Sequence, residues 1–64
     1  MERYAIGIDL GGTSVKYAVV ASSGKMPFSG QLPAFAQERA EAVLGQVLKG
    51  VEACREYAVS EGLT

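Results

Sequence analysis

Ile6-Gly7-Ile8-Asp9-Leu10-Gly11-Gly12-Thr13-Ser14-Val15-Lys16 joins two apolar runs through a diglycine. From Tyr4 to Leu10 the chain alternates. Ile6, Ile8 and Leu10 share one face, and Ala5, Gly7 and Asp9 the other, which is the period of a strand. Gly11-Gly12 breaks the run, and diglycine suits a hairpin turn because it tolerates positive φ. Val15, Tyr17, Val19 and Ala21 resume the alternation, with Lys16, Ala18 and Val20 opposite, in a stretch rich in β-branched residues. The chain therefore opens as an antiparallel hairpin.

Working outward, Ser22-Ser23-Gly24-Lys25 is a second turn signal, and Met26 to Leu32 fits a shorter third strand. Pro33 ends that strand or confines it to an edge. The period then changes. Ala40, Val43, Leu44, Val47, Leu48, Val51, Cys54 and Ala58 recur at helical spacing as one apolar stripe, while Glu38, Glu41, Lys49, Glu52 and Glu56 fall largely off it. The pattern predicts a helix from about Ala36 to Ser60 with Gly62 at its C-terminal cap. Gly45 and Gly50 inside it each cost about 1 kcal/mol relative to alanine, so packing must support it.

The expected architecture is α/β, a three-stranded antiparallel meander followed by one long helix. One helix covers one sheet face and leaves both edges open. The first strand has small residues on its second face, so something else is expected to pack or bind there. The 64 residues read as the opening part of a larger domain.

Composition sets outer bounds. A 64-residue chain permits one small domain, which buries only about 60% of its unfolded surface. Small folds usually add a disulfide or metal, but the single cysteine, Cys54, cannot form an internal disulfide. With no histidine there is no Cys/His zinc cluster. The net charge of −1 and the lack of a basic block argue against a nucleic-acid surface. Tyr4, Tyr17 and Tyr57 have no basic interleaving that would make a base-stacking platform. The N-terminal run is interrupted by Asp9, unlike a signal peptide, and no apolar stretch approaches the roughly 20 residues of a membrane helix. A cytoplasmic protein with no membrane partner is the expectation.

The chemistry sits in the glycine turn. A P-loop needs a Gly-Lys-Ser/Thr ending, absent here. A dinucleotide fingerprint should open a helix, whereas these glycines lead into a strand. An EF-hand needs several spaced acids, and Asp9 stands alone. A strand, Asp-x-Gly-Gly-Thr and a second strand is a different device. Its hairpin presents backbone N–H groups that side chains would otherwise obstruct, forming an anion-binding concavity. Thr13 adds a hydroxyl donor. Asp9 can hold magnesium through water, since that ion keeps several waters. Lys16 can place a point charge near a phosphate oxygen.

On these residues, Ile6-Gly7-Ile8-Asp9-Leu10-Gly11-Gly12-Thr13 with Lys16 and a strand ending near Ala21, the chain resembles sugar kinases of the actin–hexokinase–heat-shock ATPase superfamily. It looks most like the repressor/open-reading-frame/kinase (ROK) family, glucokinase-like. The order of three strands and a long helix is similar to that family's N-terminal lobe over nearly all 64 residues, although about ten carry the specificity. The resemblance implies a ribonuclease-H-like (actin-like ATPase) fold, with residues 1–64 forming an incomplete nucleotide-binding kinase lobe. It implies transfer of the γ-phosphoryl of ATP to a hydroxyl of a hexose or N-acetylhexosamine, with Mg2+. Asp9 would orient the metal, Gly11, Gly12 and Thr13 would form the first phosphate loop, and Lys16 would meet a phosphate. The family's general-base aspartate, second phosphate loop, adenosine site, sugar-binding Glu-x-Gly-His region and cysteine-rich zinc site have no counterpart here. The segment alone is expected to be inactive, and its parent to be a possible homodimer.

Plainer readings stand beside these. Asp9 can bond nearby backbone N–H groups at a turn. Gly11 and Gly12 can serve hairpin geometry alone, Thr13 is an ordinary strand residue, and a strand lysine such as Lys16 is usually only solvated. Gly7 reads as structural, admitting a close backbone or ligand. Cys54 and the helix stripe read as core. Two other functions fit the same resemblance. A ROK-type repressor binding sugar and DNA would need a helix-turn-helix segment before residue 4, for which three residues leave no room. A non-sugar ATPase or activator, acetate-kinase-like or dehydratase-activating, differs in sequence beyond residue 64.

Overall fold

The alternating run becomes a hairpin. A computed structural model describes residues 2–35 and 38–63, with strand β1 at Tyr4–Leu10, β2 at Ser14–Ala21, β3 at Phe28–Pro33 and helix α1 at Ala40–Ser60. The sheet order is β1-β2-β3 and both pairings are antiparallel, as expected from the sequence. Residues directly opposed in an antiparallel pair point to the same side. Tyr4, Ile6, Ile8 and Leu10 therefore share a face with Ala21, Val19, Tyr17 and Val15, and with Leu32, Gly30 and Phe28 of β3. That face meets the helix.

The core lies on β2. Val15 and Val19 are buried, and Ala21, Ala34 and Cys54 join them. Aromatic rings extend the core toward β3. Phe28 stacks on Tyr57 of α1 with centroids 4.7 Å apart, and Tyr17 tilts against Phe28 at 6.0 Å. The Tyr17 ring is also the point of closest approach between layers. A Cβ at Gly30 would overlap it, and one at Gly50 would lie 3.1–3.3 Å from its atoms. Gly50, read from sequence only as a weak point in the helix, is the position that lets α1 settle onto the sheet.

Several expectations need correction. β3 starts at Phe28 rather than Met26 and includes Pro33, whose carbonyl accepts a 2.8 Å hydrogen bond from the Gln46 amide of α1. An edge strand tolerates the missing proline N–H. The helix starts at Ala40, behind the uncapped Arg39; Ala36 and Gln37, where the sequence placed its start, lie outside the described residues. Its apolar stripe is also rotated. Gln46, Gly50 and Cys54 are the buried helix residues, while Leu44 and Leu48 are 57% and 58% exposed. Gln46 reaching Pro33 and Tyr57 reaching Phe28 tie the helix to β3, while the Leu44–Leu48 flank faces solvent.

The C-terminal end of α1 matches expectation. Gly62 is left-handed at φ +70, its N–H donates to the Val59 carbonyl, and the Leu63 N–H donates to the Ala58 carbonyl. This pair of bonds is a Schellman motif. Cys54 is fully buried, as the stripe implied, and burial pushes its thiol pKa up. Between β3 and α1 the chain turns at Phe35, held at φ 56, a costly conformation for a side chain of this bulk.

Two layers leave much uncovered. Ile6, Ile8 and Leu10 are 42%, 36% and 56% exposed although they lie on the helix face, so α1 leaves them only partly covered. The accessible surface of 4630 Å2 compares with about 3,900 Å2 for a compact monomer of this mass. The excess fits an open second sheet face and the partly exposed apolar side chains of β1. Among the described residues no helix is long and apolar enough to cross a membrane.

Candidate functional site

Three residues, Gly11 to Thr13, carry the chain from β1 to β2. The Gly11 N–H donates to the Ser14 carbonyl at 2.8 Å and closes the turn, while the Thr13 carbonyl accepts from Ala34 N–H at 3.1 Å and ties the turn to the end of β3. Neither glycine has positive φ, so the torsional reason the sequence suggested for the pair does not hold. Steric demand is also weak. A Cβ at Gly11 would stand 3.4 Å from the Ser14 carbonyl oxygen, and one at Gly12 would have no heavy atom within 4 Å. Among the described residues the Gly12 and Thr13 N–H groups have no protein acceptor. The turn thus offers two free donors on bare, exposed backbone.

Register places the candidate side chains. Asp9 on β1 is directly opposite Lys16 on β2, and Lys16 is directly opposite Gln31 on β3. All three lie on the face away from the helix, one residue pair short of the turn. The rows beyond hold small or apolar residues: Gly7 opposite Ala18, itself opposite Ser29, then Ala5 opposite Val20. Asp9, Lys16 and Gln31 line a broad concavity of about 550 Å3, floored by Gly7, Ala18 and Val20. That volume lies within the usual range for a small-molecule site.

The structure therefore brings Asp9 and Lys16 together, and sets Gly11, Gly12 and Thr13 beside them without making them part of the concavity wall. Although opposed, Asp9 and Lys16 form no ion pair; among the described residues the salt bridge is the exposed Arg55–Glu52 contact at 3.8 Å. Both side chains are exposed and free to engage a ligand.

The donor set limits which metal could fit. Among the described residues no three Asp, Glu or Cys side chains gather as a closed metal site. One carboxylate beside free backbone donors suits magnesium carried on a phosphate and held through water, since that ion is usually bound by one or two carboxylates plus phosphates. It does not suit an all-protein cage.

Sequence reasoning did not single out Gln31 or Ser29. Their period-two spacing was visible in the third strand, but their place beside Lys16 depends on the β2–β3 register, which the turn at residues 22–27 leaves open. Compared with known protein families, curated proteins and solved structures, the chain matches none.

Proposed function

We propose that this chain is the N-terminal, phosphate-binding part of a ROK-type, glucokinase-like sugar kinase with a ribonuclease-H-like fold, transferring the γ-phosphoryl of ATP to a hexose or N-acetylhexosamine hydroxyl. The observation that carries the reading is the turn itself. It has two unpaired N–H groups, a Gly12 Cα with open space around it, and Asp9 and Lys16 paired one step away. A backbone this bare, with no torsional or packing need for glycine, is what close approach of an anion requires.

Each group has a role in this reading. The Gly12 and Thr13 N–H groups donate to phosphate oxygens, with the Thr13 hydroxyl as a third donor. Lys16 adds a point charge on the same side. Asp9 would hold a magnesium ion through its water shell. Magnesium, when bound, neutralises charge on the phosphate oxygens during transfer. Catalysis by this unit is positioning and electrostatics, not proton transfer. Among the described residues Asp9 is the one carboxylate lining the concavity; in this reading the group that takes the sugar proton comes from elsewhere. The chain alone is expected to bind Mg·ATP weakly and to phosphorylate nothing. The cytoplasm, where ATP is supplied, is the compartment this reading implies.

Amide chemical shifts followed during titration with Mg·ATP test the reading. Gly12, Thr13 and Lys16 should move together with one dissociation constant, and Asp9→Asn should remove the magnesium dependence while leaving magnesium-free tripolyphosphate binding intact. Silence of every amide between residues 9 and 16 at millimolar Mg·ATP would overturn it. In a kinase polypeptide carrying this segment, Asp9→Ala should lower kcat far more than it raises the KM for sugar.

A further inference from the structure

The sheet places a third polar side chain in the row of Asp9 and Lys16. Gln31 lies directly opposite Lys16, on the same face, and lines the same concavity. Lys16 is thus flanked by a carboxylate on one strand and an amide on the other. Opposed Cβ atoms stand about 4.5–5.5 Å apart, so the lysine can reach either neighbour. The two neighbours have different consequences. A Lys16–Asp9 ion pair would cancel the charge meant for the anion and the charge meant for the metal. An amide carbonyl holds an ammonium without neutralising it.

We infer that Gln31 is a positioning residue of the phosphate site. With an anion bound, its Oε1 would accept from the Lys16 ammonium and draw it away from Asp9, and its Nε2 would donate to the anion. This rests on the phosphate-site reading above. The row then divides the work: Asp9 faces the metal, Lys16 the anion, and Gln31 keeps them apart. A glutamate at 31 would also hold Lys16, but would cancel its charge and repel phosphate. The structure agrees with an unspent amide, since Gln31 is exposed and its side chain has no protein partner among the described residues. Gln46, on the helix side of the sheet, differs: its amide is buried and bonded to Pro33.

The test uses the whole chain, 15N-labelled, with tripolyphosphate and Mg·ATP as separate probes. The Gln31 side-chain amide signals should shift with the same dissociation constant as the Gly12 and Thr13 amides. Gln31→Ala should weaken tripolyphosphate binding about fivefold, the size of one net hydrogen bond. Gln31→Glu should weaken it further, yet bind magnesium ion alone more tightly. Thermal midpoints should stay at the wild-type value, because the residue is exposed and unbonded; a shared fall in midpoint would mean a structural role and sink the proposal. If the loop amides move but the Gln31 signals do not, and Gln31→Ala binds like wild type, this inference fails and the phosphate site stands. If no loop amide moves with either probe, both fail.

Discussion

Two pairs of glycines in this small sheet stand in opposite relations to the chain around them. Gly30 and Gly50 lie on either side of the Tyr17 ring, where an added methyl would overlap or crowd it. Gly11 and Gly12 lie in the first turn without positive φ, and at Gly12 an added methyl meets nothing. Folding accounts for the first pair through packing. For Gly12 it offers no such account. A residue that costs backbone entropy without a structural return points to something outside the fold, which is the basis of the proposed anion site at the free N–H groups of the turn.

The comparison breaks most easily at Gly30. Its Cβ would collide with a ring already held by Gly50 and Phe28, so Gly30→Ala should destabilise by about 2 kcal/mol, in the range of overpacked cores. In a domain this small that lowers the thermal midpoint by roughly 10 °C. A double-mutant cycle sharpens the point. With Tyr17→Ala as background, the cost of Gly30→Ala should largely vanish, because the clash has lost its partner. An unchanged cost would mean that Gly30 is needed for a backbone reason.

Gln46 comes next. Its amide donates to the Pro33 carbonyl at 2.8 Å and holds the helix at the distance where Gly50 meets Tyr17. Gln46→Ala should cost about 1–2 kcal/mol in urea unfolding, through a carbonyl left underbonded and a seam left loose. Gly50→Ala is smaller because two effects oppose. Helix propensity gains up to about 1 kcal/mol, while the Tyr17 ring must yield by a few tenths of an ångström. The net change should fall within about 1 kcal/mol of zero, and a clear stabilisation would show that the seam is slack.

Alkaline pH probes the same seam one turn further on. Burial raises the Cys54 thiol, so the folded state prefers the neutral form. The corresponding stability is fully present below the ordinary thiol pKa of about 8.5 and is lost as pH rises through the raised folded value. Cys54→Ala should flatten that alkaline decline. The native thiol should react with a disulfide reagent only as fast as the helix opens.

How much of this was legible depended on whether the signal was periodic or positional. Strand alternation placed β1 and β2 within a residue of their observed bounds, and Gly62 marked the helix end because only a left-handed residue fits a Schellman turn. The helix face was misplaced by part of a turn. Leu44 and Leu48 outweigh Gln46 and Gly50 in hydropathy, but a buried hydrogen bond and a missing Cβ decided the contact. Pro33 pairs with Ser14 at the end of β3, an edge strand that tolerates its missing N–H. At the candidate site, Asp9 and Lys16 were legible from spacing in one hairpin. Gln31 was not, since its register passes through a turn whose length the sequence leaves open.

The smallest effect on stability bears most directly on function. Gly12→Ala adds a methyl into open space on a backbone without positive φ, so its unfolding free energy should stay within about 0.5 kcal/mol of wild type. If the turn serves only the hairpin, nothing else changes. If an anion rests on the Gly12 and Thr13 N–H groups, the methyl stands where that anion must approach, and tripolyphosphate affinity should fall about tenfold, equal to roughly 1.4 kcal/mol of binding. The two measurements together separate the readings, since no packing argument can make one methyl silent in folding and costly in binding. Equal affinity in wild type and Gly12→Ala would leave the turn as a hairpin and no more.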